Sequence, residues 1–220
     1  MTKNKYKLVL FDLDGTLIDT LEGLSEAVNH ALEVRSFPLH GLDEYRRMVG
    51  PGVRNLVMQA LPEPLRTDGR LIDAALADFK EWYTAHIDLH TRPYPGMQEL
   101  VRDLDAAGIR MAVASNKFQA GTERLIGEFF PGIPFAAILG NREGYPLKPD
   151  PEIVGEALRA AGAERAEAVM VGDSGTDMQT ARNGGIDAIA VGWGYRPMAP
   201  SADYRFAGSV EELRALLLTC

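Results

Sequence analysis

A short run of large apolar residues that ends in two carboxylates and a glycine constrains this chain more than any other stretch. Residues 7–20 read Lys-Leu-Val-Leu-Phe-Asp-Leu-Asp-Gly-Thr-Leu-Ile-Asp-Thr. A continuous apolar run suits a central strand of a parallel sheet that is covered on both faces, and such sheets place their ligands at the carboxyl ends of strands. Asp12 and Asp14 are two residues apart, so on an extended chain their side chains point the same way, about 6 to 7 Å apart. The pair predicts a small pocket that holds a cation or a proton.

After residue 96 the sequence alternates between helical and strand-like patterns. Strands are predicted at residues 109–115, 135–139, 168–172, 187–191 and 204–206. Helices are predicted at residues 96–107, 118–129, 151–161, 176–183 and 209–218. Such alternation indicates right-handed βαβ crossovers, and we predict an α/β fold with a doubly wound parallel sheet.

Between the first strand and this alternating part, the patterns are helical. Helices are predicted directly after Thr20 and at residues 42–48, 52–61 and 69–87. We therefore predict a core formed by residues 1–18 and 92–220 and a small all-helical unit formed by residues 19–91. The two prolines that flank Tyr94 predict a stiff, extended connector back to the core.

Net charge and cysteine content exclude several classes of function. The chain carries 23 Lys and Arg against 31 Asp and Glu, a net charge of −8, and no basic stripe interleaved with aromatic residues, so nucleic-acid binding is not expected. No window approaches the length of an apolar membrane span, and the basic start lacks a cleavage site for export. We expect a cytoplasmic protein with no membrane partner. The only cysteine, Cys220, excludes an internal disulfide and a cysteine-based zinc site.

Polar residues of a particular kind follow the later strands. Ser115 and Asn116 end the second core strand, where such a pair serves either as a helix cap or as part of an anion site. Lys148 lies between prolines that fix a loop, and its point charge suits phosphate, although a surface lysine is the alternative. Asp173 follows an apolar strand. Asp177, four residues on, is either a functional acid or an ordinary helix-start acid favoured by the helix dipole.

These residues, in this order, resemble the four motifs of the haloacid dehalogenase superfamily. Asp-Leu-Asp-Gly-Thr at residues 12–16 is similar to the first motif, Ser115-Asn116 to the second, Lys148 to the third and Gly-Asp-Ser-Gly-Thr-Asp at residues 172–177 to the fourth. The resemblance covers essentially the whole chain. Within the superfamily, the chain is most similar to members that have a helical cap inserted directly after the first strand. This resemblance implies that the two predicted units are a Rossmann-like catalytic core and a helical cap domain.

The resemblance also implies a role for each motif residue. Asp12 is expected to be the nucleophile that forms an aspartyl-phosphate, and Asp14 the general acid and base. Catalytic Lys148, together with Ser115 and Asn116, is expected to hold the oxygens of the transferring phosphoryl group.

A Mg²⁺ cofactor is implied by the same resemblance. Its expected ligands are Asp12, the backbone carbonyl of Asp14, and Asp173, because Mg²⁺ prefers oxygen ligands and keeps several waters. Asp177 is expected to support the site without binding the metal.

One loop of the predicted cap, Arg-Arg-Met-Val-Gly-Pro-Gly-Val-Arg at residues 46–54, resembles the substrate-reading loop of phosphoglycolate-phosphatase-like members. We assign Arg54 to substrate binding, with Arg46 and Arg47 as further candidates for a bidentate pair with a carboxylate. The alternative is a turn between two helices with solvated arginines.

The predicted function is Mg²⁺-dependent hydrolysis of small, phosphoglycolate-like phosphate monoesters. A small phosphorylated metabolite is the expected partner, and the protein is expected to be a monomer or a weak homodimer. Dehalogenase relatives lack the second aspartate, so Asp14 disfavours organohalide substrates. A β-phosphoglucomutase-like enzyme, a pyrophosphatase of the same fold and a non-catalytic phosphate-binding protein are the alternatives. Mutases carry a histidine and a Gly-x-Ser-Arg loop where this chain has Leu24 and residues 50–53, and this difference favours hydrolysis.

Two further patterns resemble a dinucleotide-binding motif and a zinc-protease motif, but each lacks a residue that the motif requires. The Gly-Trp-Gly segment at residues 192–194 lacks the third glycine of a dinucleotide fingerprint. His86 and His90 are four residues apart but lack the glutamate of the zinc-protease motif, so they more simply mark the end of a cap helix.

Overall fold

A computed structural model gives the fold of residues 5–218. Cys220 and the first four residues of the basic start lie outside the described residues. The strands are β1 (Leu8–Phe11), β2 (Ile18–Asp19), β3 (Arg92–Pro93), β4 (Arg110–Phe118), β5 (Ala137–Asn141), β6 (Ala168–Gly172), β7 (Asp187–Val191) and β8 (Arg205–Ala207). Six of them form a parallel sheet in the order β5-β4-β1-β6-β7-β8. The predicted fold class is confirmed.

The helices follow the predicted segments closely. They are α1 (Leu21–Glu33), α2 (Leu42–Met48), α3 (Val53–Ala60), α4 (Gly69–Ala85), α5 (Met97–Ala106), α6 (Gln119–Phe129), α7 (Glu152–Ala161), α8 (Gly175–Gly184) and α9 (Val210–Leu218). Short 3₁₀ turns lie at Glu63–Leu65 and Arg165–Glu167. Within residues 5–218, every helix is too short or too polar to cross a lipid bilayer.

Successive residues of β1 belong to two separate hydrophobic cores. Val9 and Phe11 share one core with residues of α5, α6 and α9, whereas Leu8 and Leu10 share the other with residues of α7 and α8. All four side chains are fully buried. Helices therefore cover both faces of the sheet, and this explains why the run is apolar throughout instead of alternating.

The centre of the sheet positions the site. β1 lies between β4 and β6 and is parallel to both, with Phe11 beside Val113 and Val171. The chain moves outward from β1 to β4 and β5 on one side, and later to β6, β7 and β8 on the other. Open parallel sheets bind ligands at the carboxyl ends of strands where the strand order reverses in this way. Asp12, the residue after β1, lies at this position.

Helices α1 to α4 form a separate helical group in which α1 packs against α2 and α4, and α3 against α4. The chain enters the group after β2 and leaves it through β3. These two strands pair antiparallel, with Ile18 beside Pro93 and Asp19 beside Arg92. The connector is extended, as predicted. Its pairing with β2 was not predicted, because strands of two residues carry no periodic pattern.

The second core strand is longer than predicted. β4 continues to Phe118, and α6 begins at Gln119. Ser115 and Asn116 thus lie inside the strand, and Phe118 is the residue that precedes the helix. The interpretation of Ser115-Asn116 as a helix cap is wrong. A buried strand that carries polar residues into the site looks, in sequence, like a strand that has ended.

The contact between α7 and α8 gives a prediction about stability. A Cβ on Gly184 would lie 2.8 Å from both methyl groups of Val154, whereas a Cβ on Gly127 in α6 would meet nothing within 4 Å. We expect Gly184→Ala to lower the free energy of unfolding by about 1 to 3 kcal/mol through overpacking. Gly127→Ala should raise it by about 0.5 to 1 kcal/mol, because alanine favours the helix. Urea unfolding of both variants tests this, and equal effects would contradict it.

Candidate active site

A buried ammonium group lies at the carboxyl end of β1. Nζ of Lys148 donates hydrogen bonds to Oδ1 of Asp12 at 2.8 Å, to Oδ1 of Asp177 at 2.7 Å and to the carbonyl oxygen of Ala114 at 2.7 Å. The Lys148 and Asp177 side chains are 3% and 1% exposed. All three protons of the ammonium are therefore used, which fixes both the lysine and the Asp12 carboxylate.

The segment after β6 supplies Asp173 and, in the first turn of α8, Asp177. Asp177 accepts hydrogen bonds from the backbone N–H and the hydroxyl of Ser174, at 3.1 and 2.6 Å, at the start of α8. Asp173 accepts the backbone N–H of Tyr195 at 2.8 Å. Its carboxylate is enclosed so closely that a Cβ on Gly15 or Gly194 would lie 2.4 or 2.3 Å from Oδ2. Glycine is required at both positions.

The electrostatics of these acids favour a bound cation. Carboxylate oxygens of Asp12, Asp173 and Asp177 all lie within 4.8 Å of one another. Burial, and after it the charge of Asp177, raises the pKa of Asp173 to about 7. Burial also raises the pKa of Asp12 well above its ordinary value despite the attraction of Lys148. Three buried acids share one ammonium, and an all-oxygen donor set with excess negative charge fits a hard divalent ion such as Mg²⁺.

Asp14 lies beside this group and has different partners. Its Oδ1 accepts the hydroxyl of Thr20 at 2.6 Å and the ammonium of Lys117 at 3.1 Å. Lys117 also donates to the hydroxyl of Tyr83 from α4, at 2.8 Å, and its side chain is 3% exposed. The pKa of Lys117 is raised, since Asp14 and Tyr83 together outweigh the lowering effect of burial. The sequence analysis missed Lys117, although a lysine directly after Ser-Asn was a usable signal.

Ser115 and Asn116, the residues of the second motif, line the cavity, and Asn116 also holds neighbouring loops in place. Oδ1 of Asn116 accepts the backbone N–H of Lys148 at 2.8 Å. Its Nδ2 donates to the carbonyl oxygens of Lys148 and Gly50, at 3.2 and 3.1 Å. The amide therefore links the lysine loop to the loop before α3. Ser115 lines the cavity, and its hydroxyl accepts the N–H of Lys117 at 3.2 Å.

A cavity of about 50 Å³, measured at the centres of water-sized spheres, joins these residues to the helical group. Its lining includes all the motif acids, Lys148, Ser115 and Asn116. The helical group contributes mainly small or apolar residues, namely Leu24, Val49, Gly50, Gly52, Val53, Leu56 and Phe79. Since one water needs roughly 10 to 15 Å³ on this measure, the cavity suits a ligand of a few heavy atoms.

The arginines predicted to read the substrate lie elsewhere. Arg54 is not among the residues that line the cavity, and its guanidinium pairs with Asp73 at 2.7 Å on the surface. Arg46 pairs with Asp43 at 3.7 Å. The structure therefore does not bring Arg54 to the site, and the alternative of solvated arginines fits better. Arg196, which the sequence analysis missed, lines the cavity and donates to the carbonyl oxygen of Val49 at 2.8 Å.

A fixed ammonium, a buried carboxylate at the switch point and further acids form a site that suits a small anionic group beside a cation. Comparison with known proteins shows which family has a site of this kind. The family model of haloacid dehalogenase-like hydrolases matches residues 9–191. A phosphoglycolate phosphatase from Mesorhizobium japonicum is 39% identical over 203 residues, which are 89% of this chain and 88% of the relative.

Two further proteins extend this similarity. A phosphoglycolate phosphatase from Pseudomonas syringae pv. syringae is 34% identical over 218 residues, which are 97% of this chain and 79% of the relative. A crystal structure of a candidate phosphoglycolate phosphatase from Lactobacillus delbrueckii subsp. bulgaricus has a TM-score of 0.89 at 30% identity, covering 98% of this chain and 100% of that one. This chain belongs to the haloacid dehalogenase-like hydrolases and is an enzyme of the phosphoric monoester hydrolase class. The resemblance identified in the sequence is confirmed.

The raised pKa of Asp173 predicts a pH-dependent stability. Between the ordinary value of 3.8 and about 7, the folded metal-free protein holds more protons than the unfolded chain, so its free energy of unfolding falls as the pH rises. Asp173→Asn removes this titration and keeps an oxygen for the N–H of Tyr195. With a chelator present, we expect the advantage of Asp173→Asn over the wild type to grow by on the order of 2 kcal/mol between pH 5 and pH 8.

Urea unfolding at both pH values measures this difference. Added Mg²⁺ should stabilise the wild type at pH 8 and leave Asp173→Asn nearly unchanged. A difference between the two proteins that does not depend on pH would contradict the electrostatic argument.

Proposed function

We propose that this enzyme is a Mg²⁺-dependent phosphatase that hydrolyses small phosphate monoesters of the phosphoglycolate type through an aspartyl-phosphate intermediate. The observation that carries the proposal is the Asp12 carboxylate, buried at the end of β1 and held 2.8 Å from the Lys148 ammonium. The names of the relatives at 34 to 39% identity support the substrate class.

The donor set supports a metal at this site. Asp12, Asp173 and the carbonyl oxygen of Asp14 are the groups that we propose as its protein ligands, with Asp177 holding Lys148 beside them. A bound Mg²⁺ supplies positive charge to the phosphoryl oxygens and to the nucleophilic carboxylate.

In the proposed mechanism, Asp12 and Asp14 have different roles in the two halves of the reaction. An oxygen of Asp12 attacks phosphorus, the bond from phosphorus to the leaving oxygen breaks, and that oxygen takes a proton from Asp14. In the second half, Asp14 takes a proton from water as the water attacks phosphorus, and the bond to Asp12 breaks to release phosphate. Lys148 and Ser115 stabilise the charge on the transferring group.

The small cavity and its cations favour a short, doubly anionic substrate. Apart from Lys148, the cations that line it are Lys117 and Arg196. Arg196 is engaged with the backbone of the loop before α3, whereas Lys117 faces the general acid, on the side where the leaving group departs. We therefore assign the substrate carboxylate to Lys117 in place of Arg54.

The helical lining argues against a mutase. Leu24 lines the cavity at the place where a histidine is expected in mutases, and Gly50, Gly52 and Val53 line it where a polar loop is expected. These residues offer a sugar phosphate few hydrogen bonds and little room. Hydrolysis of a small ester suits them better.

We further propose that residues 19–91 act as a cap domain on a core of residues 1–18 and 92–220. The paired strands β2 and β3 connect the two parts, and hydrogen bonds from Asn116 and Arg196 to backbone carbonyls hold the cap loop against the core. Opening at these contacts admits substrate, and closing excludes competing water.

The nucleophile is tested by trapping the intermediate. We expect acid quenching after incubation with ³²P-labelled substrate and Mg²⁺ to leave an acyl phosphate on Asp12. Asp12→Asn should reduce kcat at least about 10⁴-fold and trap no label, because it removes the attacking oxygen while leaving the fold intact. Label on a serine or histidine of the wild type would refute the mechanism.

The assignment of Lys117 is tested by substrate preference. We compare kcat/KM for 2-phosphoglycolate with that for 2-hydroxyethyl phosphate, an ester of the same length with an uncharged end. Lys117→Met should reduce this ratio about tenfold or more, since a charged hydrogen bond contributes about 1.5 to 3 kcal/mol. Arg54→Gln is the matched control and should leave the ratio within about twofold. A loss of preference in Arg54→Gln alone would return the role to the cap arginine.

A further inference from the structure

The loop after β7 contains the Gly-Trp-Gly segment at residues 192–194, which no predicted function uses. Tyr195 follows it, is buried and lines the cavity. Its backbone N–H donates to Oδ2 of Asp173 at 2.8 Å, and its phenol oxygen accepts the backbone N–H of Thr20 at 2.6 Å. One residue thus contacts both a proposed metal ligand and the start of the helical group.

The hydrogen bonds around Thr20 have a definite direction. The Thr20 hydroxyl oxygen lies 2.6 Å from Oδ1 of Asp14 and 3.1 Å from the phenol oxygen of Tyr195. A carboxylate only accepts, so the Thr20 hydroxyl donates to Asp14, and the Thr20 oxygen then accepts the proton of the phenol. Burial raises the pKa of Tyr195 well above its ordinary value, so the phenol keeps that proton. The Tyr195 hydroxyl therefore donates to the Thr20 hydroxyl, which in turn donates to the Asp14 carboxylate.

This chain of donors treats the two oxygens of Asp14 differently. Oδ1 receives the Thr20 hydroxyl at 2.6 Å and the Lys117 ammonium at 3.1 Å, whereas Oδ2 has a longer contact of 3.4 Å with Lys117. Oδ1 is therefore held in place, and Oδ2 is left to carry the proton for the leaving oxygen. An acid held in one orientation transfers its proton faster than one that rotates among several.

We propose that Tyr195 is a positioning residue that orients Asp14 through Thr20 for protonation of the leaving group. The proposal rests on the proposed function and concerns the step in which the bond from phosphorus to oxygen breaks and the leaving oxygen takes the Asp14 proton. Alkyl esters need that proton, because alkoxides leave poorly. Aryl esters with acidic phenols need it much less, so misorientation of Asp14 affects them less.

The test measures kcat/KM, with Mg²⁺, for ethyl phosphate, phenyl phosphate and 4-nitrophenyl phosphate. Tyr195→Phe keeps the ring and the backbone N–H and removes only the phenol oxygen. We expect a loss of about tenfold or more for ethyl phosphate and of less than about threefold for 4-nitrophenyl phosphate, within the range of general acid catalysis. Thr20→Val should show the same dependence on the leaving group, and Thr20→Ser, which keeps a hydroxyl, should behave like the wild type.

The same loop offers a matched control. Trp193 donates its indole N–H to the carbonyl oxygen of Thr16 at 3.2 Å, so Trp193→Phe removes a hydrogen bond of this loop that does not involve Thr20 or Asp14. Its effect should be equal for all three esters. An equal loss for all esters in Tyr195→Phe would overturn the proposal. If circular dichroism shows that Tyr195→Phe does not fold, the comparison of Thr20→Val with Thr20→Ser decides it in the same way. A wild type inactive on every ester, with or without Mg²⁺, would refute the proposed function and this inference with it.

Discussion

The ammonium of Lys148 is the group on which the arrangement of the site depends. It is buried with Asp12, Asp177 and the carbonyl of Ala114 within hydrogen-bond distance, and it links the residue after β1 to the backbone of β4 and the first turn of α8. A buried ion pair of this kind is costly to form, and losing one partner leaves a buried charge unpaired. The carboxylates of Asp12 and Asp177 can lie this close together because this cation lies between them. Stability is spent here to hold the Asp12 carboxylate, the nucleophile that we propose, in a fixed position.

The acids of the site carry more negative charge than the Lys148 ammonium neutralises, and this excess favours a bound cation. One ammonium does not balance the acids around it, and burial together with the charge of Asp177 raises the pKa of Asp173 to about 7. The metal-free site is therefore electrostatically frustrated, and a divalent cation would relieve it. Asp14 is separate from this group and has its own cation, Lys117. Two carboxylates two residues apart thus occupy different electrostatic environments, which suits the different roles that we propose for them, nucleophile and acid.

Most of the fold and the motif residues were predictable from the sequence, because strands buried on both faces and crossover helices impose strong periodic patterns. The residues that sequence reasoning missed are those fixed by tertiary contacts. Lys117 contacts Asp14 directly and Tyr195 contacts it through Thr20, and both lie far from Asp14 in the sequence. Arg54 was predicted from its loop alone, whereas its partner, Asp73, belongs to another helix. Ser115 looked like a helix cap because polar residues inside a strand usually end it.

We propose that an oxygen of Asp12 bonds to phosphorus while Lys148 and a metal neutralise the charge of the transferring group. A crystal structure with Mg²⁺ and beryllium fluoride, a stable mimic of an acyl phosphate, tests it directly. We expect beryllium bonded to a carboxylate oxygen of Asp12, a fluorine within hydrogen-bond distance of the Lys148 ammonium, and Mg²⁺ bound by Asp12, Asp173 and the carbonyl of Asp14. Beryllium bonded to any other side chain, or Mg²⁺ bound away from Asp173, would contradict it.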